Sequence, residues 1–308
     1  DIFKAATREI LSKAILLREF QGISSDKHEM KITFKHKEIN EKGEILSEIE
    51  KYHTPKTFVE IQAIFKEIIE KHEKEVDVIA FSTCGAVNKT NDGILGSTGN
   101  IAKEYPTMDF KSLSKKPVFV ENDANCAAWA EYVIGSSKNM PYSVMVTLGT
   151  GVGGGIIIDG KLYKGKSGAA GEMHFKMRTD KHRKCTCGSW DCFEAYASGT
   201  GLKKTAEEIS GDKEITTYDV IEHIDRPIMK KIFDVWQNDI LEGIIGLANL
   251  FDPDVVVLSG SMAEFVDIEY LEKEANAQIV TQPFKVVKAS AGNYSGMIGA
   301  ALLAMGVK

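Results

Sequence analysis

No run of apolar residues in this 308-residue chain approaches the roughly 20 that a bilayer span needs. The longest candidates, such as Val255–Leu258, are strand-sized, and no membrane association is expected. The chain also lacks a basic start followed by an apolar core and a small-residue cleavage site, so no secretory leader is read and a cytoplasmic location is expected. A basic excess is missing too. Lys and Arg number 38 against 44 Asp and Glu, a net charge of −6. The lysines interleave with glutamates, as in Lys71–Glu75, and read as solvated surface rather than a nucleic-acid face. Low-complexity linkers and short repeats are absent. Cysteines are few and odd in number: Cys84, Cys126, Cys185, Cys187 and Cys192, three of them within eight residues. A disulfide framework would spread an even set through a short secreted chain, whereas a tight cluster in a larger chain points to metal binding in a reducing compartment.

What is present is an ordinary globular mix, 43% hydrophobic and 27% charged, long enough for about two domains. Residues 1–23 carry Ile2, Ala5, Ala6, Ile10, Ala14 and Leu17 at helical spacing and are read as a helix. Met30–Phe34 reads as a strand. Asn40-Glu41-Lys42-Gly43 reads as a hairpin turn between Lys37–Ile39 and Glu44–Tyr52. A helix over Phe58–Glu75 precedes buried strands at Val76–Ser82 and Pro117–Val120. After a helix over Asn125–Val133, strands at Ser143–Leu148 and Gly155–Ile158 flank a glycine-rich turn. Residues 159–198 look irregular and 199–250 mostly helical, ending in Ile228–Leu250. Strands at Val255–Leu258 and Lys285–Ala289 lead to a last helix, Ser295–Met305. Strands alternating with helices imply an α/β protein.

Four motifs carry chemistry. Leu148 to Gly155 holds five glycines between two strands. Backbone N–H groups there can approach an anion closely, and Thr150 adds a hydroxyl. No Gly-Lys-Ser/Thr follows, and a strand rather than a helix comes next, so neither a Walker loop nor a dinucleotide fingerprint fits. The plainer reading is a flexible hairpin. Glu121-Asn122-Asp123-Ala124-Asn125 follows a strand and opens a helix. Asp123 there can take a proton from an attacking hydroxyl and Asn122 can bond neighbouring hydroxyls, or either residue simply caps the helix. Cys185, Cys187 and Cys192, with His174 upstream, supply three thiolates and an imidazole for a closed structural zinc site. His182 competes as the fourth ligand. Glu172 and Glu194, near this loop, either grip sugar hydroxyls or lie on the surface.

Together these segments resemble the ROK family (repressor, open reading frame, kinase) over roughly residues 76 to 305. Phe81 to Asn88 is similar to its glycine turn beside the sugar, and Gly96 to Asn100 to a sugar-contacting segment. Asn122–Asn125 resembles the catalytic-base segment, and Gly149-Thr150-Gly151 the second phosphate loop. Glu172–His174 and Cys185–Glu194 resemble the zinc signature, and Asp252 to Ser261 the nucleotide-side turn. The resemblance implies a two-lobed actin/hexokinase-like (ribonuclease H-like) ATPase fold. Residues 1–123 plus 295–308 would form a smaller lobe, and 124–294 a larger one holding the zinc loop.

It also implies an ATP-dependent kinase of a hexose or N-acetylhexosamine, working with Mg²⁺ and structural Zn²⁺ as a homodimer. Asp123 would be the base. Gly85, Asn100, Asn122, Glu172, His174 and Glu194 would bind sugar, and Gly149, Thr150, Gly151 and Gly260 the nucleotide. His174, Cys185, Cys187 and Cys192 would hold the metal. A silent sugar-binding sensor is the alternative. Three departures stand out. Asp191 replaces the usual Gly of the zinc turn. Glu-x-Gly-His is shortened to Glu172-Met173-His174. The family's first phosphate loop, Asp-x-Gly-Gly-Thr, is missing: before Leu46 the only glycines are Gly22 and Gly43.

Overall fold

The structure, a computed structural model, describes residues 13–23, 30–46, 50–53, 55–96, 101–177 and 179–307. Its strands are β1 Lys13–Ile23, β2 Met30–Asn40, β3 Glu50–His53, β4 Val78–Thr83, β5 Ala86–Val87, β6 Ile94–Gly96, β7 Val118–Asn122, β8 Ser143–Leu148, β9 Val152–Ile158, β10 Lys161–Leu162, β11 Val255–Ser259 and β12 Lys285–Lys288. Its helices are α1 Phe58–His72, α2 Asp123–Ile134, α3 Glu194–Ala197, α4 Gly199–Ser210, α5 Thr217–Glu222, α6 Pro227–Phe251, α7 Ile268–Asn276 and α8 Ser295–Ala304. Among the described residues no helix is long and apolar enough to cross a membrane.

The chain divides into two compact units. One holds Asp1–Gly135, Lys164–Ala170 and Ala291–Lys308, the other Ser136–Tyr163 and Gly171–Ser290. Helix α2 and the strap 164–170 therefore belong with the first unit, although the sequence reading starts the second lobe at residue 124. Both units are built on one sheet plan. The first sheet has the order β3-β2-β1-β4-β7 and the second β10-β9-β8-β11-β12. In each, three antiparallel strands are followed by two parallel to the first. The repeat lies in the strand pairing and not in the residues, so the sequence shows none. By strand order the β1–β2 connection, whose residues 24–29 lie outside the described residues, corresponds to the β8–β9 connection.

The helix expected over residues 1–23 is not what the structure shows where it is described. Residues 13–23 form β1, antiparallel to β2 and parallel to β4, while residues 1–12 lie outside the described residues. The short apolar run Ala14–Leu17 suits either period, and pairing along both edges decides for the strand. The turn at Asn40–Gly43 forms as read, but the flanking strands are β2, from Met30, and β3, from Glu50, with one bridge between Ile39 and Ile45; residues 47–49 of the expected strand lie outside the described residues. Asn40 Oδ1 accepts the N–H groups of Lys42 (3.0 Å) and Glu44 (2.9 Å).

In the first unit a Thr57–Glu60 capping box starts α1. The helix buries Ile61, Phe65, Ile68 and Ile69. Phe65, Phe81 and Phe110 continue this core as a chain of rings with centroids 5.2 and 4.9 Å apart. In the second unit Trp236 of α6 is fully buried. Its indole N–H donates to the carbonyls of Ala197 (3.0 Å) and Ser198 (3.2 Å), tying α6 to the α3–α4 junction.

Asp239, also on α6, has a buried Oδ2 whose nearest cation is Lys181 Nζ at 3.9 Å. Burial pushes its carboxyl up from 3.8 to about 6, against the attraction of Lys181 and Arg183. The folded state therefore holds this proton where the unfolded chain has lost it, and its contribution to stability falls as pH rises from about 4 to about 6. Asp239→Asn is expected to raise stability at pH 8 by up to about 3 kcal/mol, with the gain vanishing below pH 4. Urea unfolding midpoints of both proteins at the two pH values check this.

Candidate functional site

Strand β7 ends at Asn122 and α2 begins at Asp123. Asn122 is the helix N-cap: its Oδ1 accepts the N–H groups of Ala124 (2.9 Å) and Asn125 (3.1 Å). Its Nδ2 donates to the Gly85 carbonyl (3.0 Å), which brings these two predicted sugar residues together. Asp123 is half-buried in the first helical turn, where the helix dipole favours an anion. Its Oδ1 accepts the Ala124 N–H at 2.9 Å. Asn122 makes two of the three bonds that cap the helix start and Asp123 one. Asn100 lies outside the described residues. Sequence reasoning passed over Glu121, which is 1% exposed; a carboxylate inside a buried strand was the available signal.

In the second unit residues 149–151 close β8 onto β9, with the Gly149 N–H donating to the Gly151 carbonyl at 3.0 Å. The start of α4 packs on this turn. The Gly199 N–H donates to the Gly149 carbonyl (2.8 Å) and the Thr200 hydroxyl to the Thr150 carbonyl (2.8 Å). A Cβ on Gly151 would stand 2.6 Å from Glu194 Oε2, the atom that accepts the Val152 N–H at 3.1 Å. Gly260, at φ 89°, lies against the end of β8, and a Cβ there would be 2.3 Å from the Leu148 carbonyl oxygen. All four predicted nucleotide residues therefore gather at one end of β8. Among the described residues nothing accepts the N–H groups of Thr150 and Gly151, which leaves two donors at the turn for an anion.

The ligand atoms of His174, Cys185, Cys187 and Cys192 lie within 4.8 Å of one another. Cys187 Sγ is 3.6 Å from Cys192 Sγ, and Cys185 Sγ is 3.6 Å from His174 Nδ1. A tetrahedral zinc with bonds near 2.3 Å spaces its sulfurs at about 3.8 Å, so the donor set fits that ion. His182 is 74% exposed and pairs with Asp191 (3.2 Å), outside the cluster; the imidazole that lies with the three thiols is that of His174, despite the shortened Glu172-Met173-His174. Glu172 Oε2 stands 3.5 Å from His174 Nε2, the outer contact that orients a ligating imidazole. Glu194 Oε1 accepts from the Cys185 thiol (3.3 Å) and the Thr186 hydroxyl. Glu194 thus joins the cysteine loop to the glycine turn. Burial pushes the Cys185 thiol up to about 12 and raises that of Cys192, while the Ser189 N–H lowers that of Cys187. Buried thiols of this kind become thiolates when a bound dication offsets the lost hydration.

The loop is held by Arg183, 4% exposed. Its fork donates to Glu208 (2.9 and 2.7 Å) and to Thr205 Oγ1 (2.8 Å). Asp191 has φ 57°, which explains the usual Gly there. Aspartate tolerates this region better than most residues, and its Oδ1 here accepts the Arg183 N–H (2.8 Å) and the Tyr196 hydroxyl (2.7 Å). Asp191→Ala keeps the backbone strain and loses both bonds, so it is expected to destabilise by about 2 kcal/mol. Asp191→Gly, freed of the strain, should lose less. Chemical unfolding of both variants ranks them.

The sequence profile of the ROK family matches residues 32–307. The chain belongs to the ROK family. A glucokinase of Streptomyces coelicolor is 32% identical over 297 residues, covering 86% of this chain and 92% of its own length. A xylose repressor of Bacillus subtilis is 29% identical over 196 residues, 59% of this chain and 49% of the repressor. Among solved structures, a ROK family glucokinase from Streptomyces griseus in complex with glucose and AMPPNP has a TM-score of 0.75 at 27% identity, covering 95% of this chain and 99% of that one. The fold of this ROK protein is actin/hexokinase-like.

Proposed function

We propose that this ROK protein is an ATP-dependent sugar kinase acting on a hexose or N-acetylhexosamine. The observation that carries the reading is the β7–α2 junction. Asn122 caps the helix and tethers Gly85, and Asp123 presents a carboxylate beside them. Asp123 takes the proton of the attacking hydroxyl as the sugar oxygen bonds to the γ-phosphorus and the bond to ADP breaks. Asn100, Glu172, His174 and Glu194 contribute sugar contacts. The N–H donors of the 149–151 turn hold phosphate oxygens, with Gly260 giving the backbone room. Mg²⁺ supplies neutralisation of phosphate charge, and Zn²⁺ in the three-cysteine, one-histidine site supplies rigidity to the loop between Glu172 and Glu194.

ADP release from MgATP, measured across a panel of hexoses and amino sugars with glucose first, tests the reading: one sugar should stimulate release well above the sugar-free rate. A sugar-binding member without turnover is the second reading. It is favoured by residues 24–29, the counterpart of the β8–β9 turn, which include no glycine, and by the repressor relative. Sugar binding without ADP release selects it.

A further inference from the structure

We infer that Lys164 is a positioning residue for the proton-accepting segment: its buried ion pair with Glu121 holds Asn122 and Asp123 where phosphoryl transfer needs them. The inference rests on the kinase reading above. Lys164 Nζ lies 2.7 Å from Glu121 Oε2, with side chains 14% and 1% exposed. The same Oε2 accepts Asn91 Nδ2 at 2.8 Å. Glu121 Oε1 accepts the Asn122 backbone N–H (2.9 Å) and Asn125 Nδ2 (3.1 Å). One carboxylate therefore underlies the bend from strand to helix on which Asp123 sits.

The lysine uses its remaining protons on the Asn88 carbonyl (3.2 Å) and Asn91 Oδ1 (2.9 Å). Its own carbonyl accepts the N–H groups of Gly168 (3.1 Å) and Ala170 (3.4 Å), closing the strap 164–170. Three segments distant in sequence thus meet on a single ammonium. Removing it leaves a buried carboxylate without its counter-charge. Glu121 then protonates or draws in water, and the acceptor that fixes the Asn122 amide weakens. A pair serving stability alone would leave the geometry of a folded variant, and hence its kcat, unchanged.

The test compares Lys164→Met, Lys164→Arg and Glu121→Gln with the parent. Lys164→Met is expected to lose about 10²-fold in kcat with little change in KM for ATP, and Lys164→Arg to recover most of it. In Lys164→Met the backbone amides of Asn122 and Asn125 should exchange with deuterium about tenfold faster, while those of β8 and α6 keep the parent's protection. A folded Lys164→Met with the parent's kcat overturns the inference. If the parent turns over no sugar, the kinase reading has failed and exchange alone decides. Faster exchange at Asn122 upholds the placement, and unchanged protection overturns it. Should Lys164→Met not fold, Glu121→Gln takes its place: a lowered kcat and faster exchange at Asn122 uphold the inference, and parental values of both overturn it.

Discussion

Asp123→Asn lowers sugar-dependent turnover by about 10²–10⁴-fold, the usual contribution of a positioned base, and leaves sugar affinity nearly unchanged. The amide has the carboxylate's shape and still accepts the Ala124 N–H that Asp123 Oδ1 takes at 2.9 Å, so the helix start survives. The neighbouring cap is untouched, because Asn122 and not Asp123 bonds both Ala124 and Asn125. What disappears is the ability to accept a proton. Steady-state kcat and calorimetric sugar binding on the same preparation separate the two effects. Turnover equal to the parent's would remove Asp123 as the base.

Cys187→Ser releases the metal and lowers the thermal midpoint of the second unit on the order of 10 °C. Cys187 is the exposed thiol of the four-ligand cluster, so the substitution leaves no cavity in the core and isolates the loss of a ligand. The chain between Gly171 and Cys192 is organised by few elements of its own, chiefly the isolated bridges Lys176↔Cys192 and Lys184↔Trp190. Arg183 and Tyr196 anchor one side of it and the cluster of His174 with the three cysteines lies on the other. Zinc content by mass spectrometry and a melting curve check both effects. A parent protein that purifies folded and metal-free, or a variant with the parent's midpoint, would remove zinc from the account.

The parts legible in the sequence were those with a local signal. The cysteine cluster, the glycine turn and the strand-to-helix junction all appear, because each depends on residues a few positions apart, but with shifted bounds: β9 begins at Val152 rather than Gly155, and β7 passes into α2 at Asn122-Asp123 rather than between Val120 and Asn125. Residues 13–23 fold against the helical expectation because a short apolar run carries no decisive period, and the pairing of β1 with β2 and β4 is long-range. Spacing alone does not choose between His174 and His182; in the fold His174 lies with the three thiols, while His182 pairs with Asp191. Glu121 and Lys164 lie 43 positions apart, and no sequence pattern joins the two. An ion pair of this kind becomes visible only when the strap 164–170 is placed with the first unit.

The central claim is phosphoryl transfer to a sugar, by a chain whose β1–β2 connection lacks the glycines found in its β8–β9 counterpart. Phosphorus NMR of MgATP with zinc-loaded protein and the best-bound sugar of the panel tests it most directly. The account predicts a growing sugar-phosphate monoester resonance that matches the decline of the γ-phosphate and is absent with Asp123→Asn. An unchanged γ-phosphate in the presence of bound sugar would contradict it.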